Sequence, residues 1–250
     1  MTLAGINAPA HVRLACQIRP QHDITVTRLV APPVRQRGKT AAASEAEGIE
    51  RNLVVLFLDT RGFTSMTEAR LPFDVVFILN RLFAVVGEAI AKHGGKIDKY
   101  LGDGLMAIFG VHTGEAGGCR QALGAARSID MALDLLNDEI IDEIGQPLRI
   151  GMGIDVGPLV VGPIGHTHTA IGTTVNAASR LEALTKEKGC QLIVAADVLA
   201  LAGLRADAFP REEVMIRGLS APRSVAFVKR ARDLPQLSSP RASPRSANAP

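Results

Sequence analysis

Between residues 52 and 59 the sequence NLVVLFLD is apolar at nearly every position, a short β-branched and aliphatic run that suits a buried strand. The period then changes. Over 72–93 the residues Val75, Leu79, Leu82, Val86 and Ile90 recur at spacings of three and four, which predicts a helix with one apolar stripe laid on a sheet. Gly94 and Gly95 supply its stop. Residues 96–110, KIDKYLGDGLMAIFG, form two strand-like runs around Asp103-Gly104, a dipeptide favoured in tight hairpins because both residues tolerate positive φ. An Ala- and Leu-rich stretch predicts a second long helix over 115–137, followed by strands over 148–155 and 159–161. A further helix over 174–188 ends at Gly189, and short strands follow over 191–194, 213–216 and 224–228. The order βαββαβ, with an extra C-terminal helix and strands, predicts an α+β fold. Its core is a ferredoxin-like antiparallel sheet with helices packed on one face.

Both ends of the chain break this pattern. Residues 31–50 are rich in Pro, Ala, charge and small side chains without sustained periodicity and read as a linker, with a separate segment over 1–30 before it. Residues 231–250 are rich in Ser, Pro and Arg, offer little apolar surface to offset their ordering entropy, and read as a disordered tail. The patterned block is therefore 51–230.

Charge follows the same division. The net charge is +3, but residues 1–50 carry six basic and four acidic side chains and residues 229–250 carry five and one, leaving a net −3 between them. A folded block without basic excess speaks against nucleic acid as a partner. Aromatic residues are scarce, with no Trp and one Tyr, so the core must be mostly aliphatic. The three cysteines, Cys16, Cys119 and Cys190, are odd in number and form no CxxC pair, which fits reduced thiols in a cytoplasmic protein. No run of about 18 apolar residues suggests a membrane span.

The candidate chemistry begins with two aspartates. Asp59 stands where a buried strand ends and a loop containing Gly62 begins, so its carboxylate can meet a hard cation while nearby backbone N–H groups face phosphate oxygens. Taken singly, it is also an ordinary turn or capping residue. Asp103 at a hairpin tip is equally what such a turn prefers. Together they would suffice for one or two ions bridged by substrate phosphates, since Mg²⁺ keeps several waters and takes one or two carboxylates. Asn176 and Arg180 lie four apart and project from one face of a helix. His166 and His168 alternate along the chain, but no third ligand is near them in sequence, and they are not read as a metal site.

Four ordered segments carry a resemblance that no one of them carries alone: VVLFLDTRGFT, GGKIDKYLGDGLMAIFG, RIGMGIDVGPLVVGPIG and TAIGTTVNAASRLEALTK. Across about 51–230 the chain resembles the catalytic domain of class III adenylate and guanylate cyclases. The resemblance implies a nucleotide cyclase fold, with Asp59, Thr60 and Asp103 holding two Mg²⁺ or Mn²⁺ ions. It also implies that Thr60, Gly62, Phe63 and Thr64 cradle the triphosphate through the backbone. Lys99 corresponds to the base-recognising lysine and Thr169 to the second base contact, an Asp in many members and Thr or Ser in a large bacterial subgroup. Lys with Thr points to adenine, since an ammonium only donates and adenine N1 accepts. Guanylate cyclases usually place Glu and Cys at these positions. Asn176 corresponds to the residue that orients the ribose, and Arg180 to the one that stabilises charge on the α-phosphate. Arg223 aligns with a basic residue on the terminal phosphates, although Arg217 competes for that role.

The implied reaction is conversion of ATP to 3′,5′-cyclic AMP and pyrophosphate in a head-to-tail homodimer, each site taking its metals from one chain and its base, ribose and α-phosphate contacts from the other. The alternatives are a guanylate or dual-specificity cyclase and a silent nucleotide-binding module. Over 1–30, the segment HVRLACQIRPQHDITVTRLV is similar to the C-terminal end of plant-type [2Fe–2S] ferredoxins. Cys16 alone cannot hold a cluster, and no iron–sulfur centre is expected.

Overall fold

The computed structural model describes residues 48–68, 70–164, 167–216, 219 and 221–237. The ferredoxin-like segment with Cys16, most of the linker and the chain beyond 237 lie outside the described residues. The elements are β1 (Ile49–Thr60), α1 (Phe63–Glu68), α2 (Pro72–Lys92), β2 (Lys96–Leu101), β3 (Gly104–Phe109), α3 (Gly114–Ile144), β4 (Ile150–Ile164), β5 (Thr167–Ile171), α4 (Thr173–Lys188), β6 (Leu192–Ala195), α5 (Ala196–Leu201), β7 (Arg211–Val214) and β8 (Arg223–Val228). One sheet runs in the order β2-β3-β1-β4-β6-β8-β7, with β5 paired to β4. The fold is α+β. Its first four sheet strands stand in the ferredoxin-like order, all antiparallel, and β6 joins β4 in parallel.

The two helices of the βαββαβ core, α2 and α3, share one face as the pattern predicted, and the further helix α4 covers the other. Val54, Leu56 and Leu58 of β1 pack with Leu82, Val86 and Ile90 of α2 and with Leu123 and Ile129 of α3. Leu53 and Val55, pointing the other way, pack with Met106 and Ile108 of β3 and with Val175 and Ala178 of α4. A strand apolar on both faces needs cover on both, and α4 supplies the second. Each fully buried Leu or Ile here contributes about 1.5–3 kcal/mol. Gly153 of β4 permits the approach of α4, because a Cβ there would lie 2.2 Å from the Glu182 nitrogen and 2.3 Å from the Ala178 oxygen.

Other boundaries moved for local reasons. The strands expected over 148–155 and 159–161 are one strand, β4, because Gly157 and Pro158 pair in register with Leu53 and Asn52. The approach to Thr169, expected as a loop, is β5, and α3 runs on to Ile144, where Gly145 takes φ 68° and closes it. In α2 Ile78 is buried, while Val75 and Leu79 are half-buried.

The folded unit also continues past 230 into the expected tail. Ala231–Asp233 form a 3₁₀ turn, and Ala231 and Leu234 are buried. Arg230 and Arg232 both grip Asp130 and Asp134 of α3, and Gln191 Nε2 donates to Asp130 Oδ1 at 2.8 Å. Burial alone would raise the pKa of the fully enclosed Asp130 carboxyl, but these donors outweigh it and hold it down at about 2. Among the described residues, no helix is long and apolar enough to cross a membrane.

Candidate active site

Asp59 is the penultimate residue of β1, opposite Gly151 of β4. Pairing of Leu58 with Leu105 brings the β2–β3 hairpin tip beside the end of β1, so Asp59 and Asp103, far apart in sequence, become neighbours. The Thr60 hydroxyl donates a short hydrogen bond to Asp103 Oδ2. The turn itself is Gly102-Asp103, because Leu101 pairs with Gly104, and of the two glycines here Gly102 rather than Gly104 takes positive φ, 67°. Gly104 serves another need: a Cβ there would stand 2.6 Å from the Leu58 carbonyl oxygen and 2.7 Å from Asp59 Oδ1.

The electrostatics of this pair favour a cation. Burial raises the Asp59 pKa and the charge of Asp103 raises it further, against the opposing pull of Arg61 and the Thr60 amide. Among the described residues no group of three or more His, Cys, Asp or Glu side chains is arranged to hold a metal ion. Two carboxylates offering only oxygen suit Mg²⁺ or Mn²⁺ completed by water and phosphate, and do not suit a zinc site built from side chains. A cavity of about 880 Å³ opens from the two aspartates past Arg61, Phe63, Arg149 and Lys186. Its lining mixes the carboxylates of Asp59, Asp103 and Asp134 with the basic side chains of Arg61, Arg149, Lys186 and Arg230, and the chain turns through Gly62 into α1 at its edge.

Arg61 was not singled out in the sequence. Its guanidinium meets Glu182 of α4 at 3.1 Å, and its amide donates to the Arg149 carbonyl at 2.7 Å, tying the start of the loop to α4 and to the approach of β4. Burial raises the Glu182 pKa and Arg61 pulls it back.

The base-recognition candidates gather elsewhere on the same sheet. Lys99 Nζ lies 3.1 Å from Asp98 Oδ2, and Thr169 Oγ1 donates to that same Asp98 oxygen at 2.7 Å. Asp98, also not singled out, sits in a bulge: Ile97 pairs with Ala107 and Lys99 with Met106, leaving Asp98 extra. Strict alternation would put Lys99 on the face of Ile97, toward α2. The bulge turns it to the face of Met106, where α4 packs and Thr169 is in reach.

Asn176 and Arg180 are exposed on α4, whereas Ala177, Ala178, Leu181 and Glu182 are buried. Both side chains therefore leave the helix on its outer side, away from the Glu182–Arg61 contact and the aspartates. Neither has a hydrogen bond or ion pair among the described residues. Arg223 forks onto the buried Asp155, donates to the Val156 carbonyl at 3.0 Å and stands 3.6 Å from Asp197. Its donors are committed within the chain, and it is not carried further as a phosphate ligand. The side chain of Thr64, together with His166 and Arg217, lies outside the described residues, as does the side chain of His168.

The model of the adenylate and guanylate cyclase catalytic domain matches residues 46–228. An adenylate cyclase of Anabaena cylindrica is 38% identical over 179 residues, covering 68% of this chain and 34% of that protein. The chain thus spans about a third of the length of the curated relatives it matches. Among solved structures, a guanylyl cyclase superposes with a TM-score of 0.65 at 30% identity, over 73% of this chain and 93% of that one. The adenylyl cyclase CyaB from P. aeruginosa superposes with a TM-score of 0.65 at 28% identity, over 76% of this chain and all of that one.

Proposed function

Because the chain belongs to the adenylate and guanylate cyclase catalytic domain family, we propose that it converts ATP to 3′,5′-cyclic AMP and pyrophosphate at sites shared across a homodimer. The observation that carries this reading is the meeting of Asp59 and Asp103 at one end of the sheet, at the mouth of a cleft. Asp59, Asp103 and the Thr60 carbonyl would hold two Mg²⁺ or Mn²⁺ ions. Such ions ease loss of the ribose 3′ proton and neutralise charge on the leaving pyrophosphate.

The remaining work is positioning and electrostatics, which suffice for most phosphoryl transfers. Backbone groups from Thr60 to Thr64 face the triphosphate. Lys99 donates to adenine N1 and Thr169 accepts from the exocyclic amine. Asn176 orients the ribose so that its 3′ oxygen stands in line with the α-phosphorus. Arg180 donates to the α-phosphate as negative charge builds there, a preorganised contact worth on the order of 10²–10³ in rate. No side chain need act as a strong general base.

The placement of these groups supports a shared site. Asn176 and Arg180 point off the outer side of α4 while Asp59 sits beneath it, so one chain does not direct both halves at one substrate. A second chain related by a twofold axis would complete two equivalent sites. The free thiols Cys119 and Cys190 accord with a cytoplasmic setting.

Mixing Asp59→Ala chains with Arg180→Ala chains tests the scheme. Each alone should be inactive, and heterodimers should regain one intact site. A mixture that dimerises but stays silent sinks the shared site. A guanylate cyclase is the second reading, favoured by the 30% identity to a solved guanylyl cyclase, and product analysis with ATP and GTP separates the two.

A further inference from the structure

The Asp98 carboxylate touches both candidate base-reading side chains and takes no part in the reaction proposed above. Its side chain is 5% exposed, its Oδ2 accepts from Thr169 Oγ1 at 2.7 Å, and the Lys99 ammonium lies 3.1 Å from that same oxygen. Thr169 itself is buried on β5, across from Gly162 of β4. The contact therefore joins the edge strand β2 to β5, two elements brought together only by the fold.

The chemistry of this contact is directional. A threonine hydroxyl has one proton and two lone pairs, and a carboxylate can only accept. With its proton given to Asp98, Thr169 presents lone pairs alone to anything else in reach. A purine amine at the 6-position can donate to those lone pairs, and a 6-oxo group cannot. A hydroxyl free to rotate would lack this preference, since it could turn and donate to the oxo group. Lys99 is constrained in a complementary way. One of its three N–H bonds is engaged by Asp98, which leaves two donors and a fixed ammonium position for the ring nitrogen.

We propose that Asp98 is a positioning residue for purine selection: by taking the Thr169 proton and anchoring Lys99 it makes the pair read a 6-amino purine and reject a 6-oxo purine. The bulge at Asp98 is part of the same device, because it turns Lys99 to the face of Thr169. This inference rests on the assignment of Lys99 and Thr169 to the base, and it names the residue that gives Thr169 its polarity. Asn at position 98 keeps the shape but can donate from its amide, which frees the hydroxyl to point its proton at the base.

The test uses the full chain as wild type, Asp98→Asn, Thr169→Ser, Thr169→Val and the double variant Asp98→Asn/Thr169→Val. Turnover of ATP and GTP is measured with Mn²⁺, and the same two nucleotides compete against a fluorescent ATP analogue in a binding titration. In Asp98→Asn the ratio of kcat/KM for ATP over GTP should fall about tenfold or more, chiefly through a higher KM for ATP. Thr169→Ser should keep the wild-type ratio. In the Thr169→Val background, Asp98→Asn should change the ratio less than about twofold, because the two act as one unit. The proposal is overturned if folded Asp98→Asn holds the wild-type ratio in both assays. Should Asp98→Asn fail to fold, the Thr169 pair decides: a wild-type ratio in Thr169→Val overturns the proposal, and loss in Val with retention in Ser supports it. A wild type that forms no cyclic product refutes the proposed reaction, and the competition titration then decides Asp98 by the same ratio.

Discussion

Replacing Gly104 by Ala adds a single methyl group at the point where the hairpin tip meets the end of β1. That carbon would lie 2.6 Å from the Leu58 carbonyl oxygen, 2.7 Å from Asp59 Oδ1 and 3.4 Å from the Asp59 Cα. Ordinary contact needs about 3.5 Å or more, and two of these three atoms belong to the backbone of a central strand, which cannot swing aside. Relief must come from the two strands separating by several tenths of an ångström and from Asp59 turning away. Overpacking of this kind costs about 1–3 kcal/mol, or roughly 2–12 °C in melting temperature for a domain of this size. The functional loss should be larger, because the displaced carboxylate is a proposed metal ligand, and a misplacement near 1 Å costs about 10² in rate. Gly102→Ala is the matched control: its φ of 67° strains an L residue, yet nothing lies within 4 Å of the new carbon. It should cost about 1 kcal/mol while leaving Asp59 in place. Cyclase activity over a Mn²⁺ titration, run beside thermal melts, separates the two. A Gly104→Ala protein with wild-type Mn²⁺ half-saturation and full activity would show that the close approach at Gly104 does not position Asp59.

Acid should loosen the C-terminal clasp. Asp130 is held at about 2, below its unfolded value near 3.8, so its contribution is complete above about pH 5 and is lost as pH falls toward 2. The shift corresponds to about 2 kcal/mol, and Asp130→Asn should flatten that part of the stability–pH curve measured by urea unfolding. Removing residues 230–250 takes away Arg230, Arg232 and Leu234 together and should lower the melting temperature, whereas a chain ending at 238 should melt as the full chain does; equal melting of both would refute a clasp. Arg61→Ala strands the Glu182 carboxylate against α4 and should destabilise by about 3 kcal/mol, with Arg61→Ala/Glu182→Gln recovering part of the loss; no recovery in the double variant would mean that the ion pair is not the cause.

Much of the fold was legible along the chain. The apolar run ending at Asp59, the three-and-four stripe of α2, the glycine stop after α4 and the βαββαβ order are local signals, because strand and helix periods are written in consecutive residues. The four motif segments likewise named Asp59, Asp103, Lys99, Thr169, Asn176 and Arg180 as candidates. What failed was non-local or turned on a single residue. The local pattern gave the further helix α4 but not its place, which is set by the need to cover the second side of β1, more than a hundred residues away. The Asp103-Gly104 turn slipped by one residue, since a dipeptide rule cannot register that Gly104 is small to make room for Asp59.

By itself, then, the sequence determined which elements form and which side chains can carry charge, because both are properties of short stretches of chain. Only the tertiary structure decided which of those side chains meet. It set Asp103 beside Asp59, turned Lys99 through the bulge at Asp98 to Thr169, and faced Asn176 and Arg180 away from the aspartates. The reason is that strand register, one extra residue in an edge strand and the rotation of a packed helix are settled by contacts between distant segments, and pairing shifted by one residue reverses every side chain it touches.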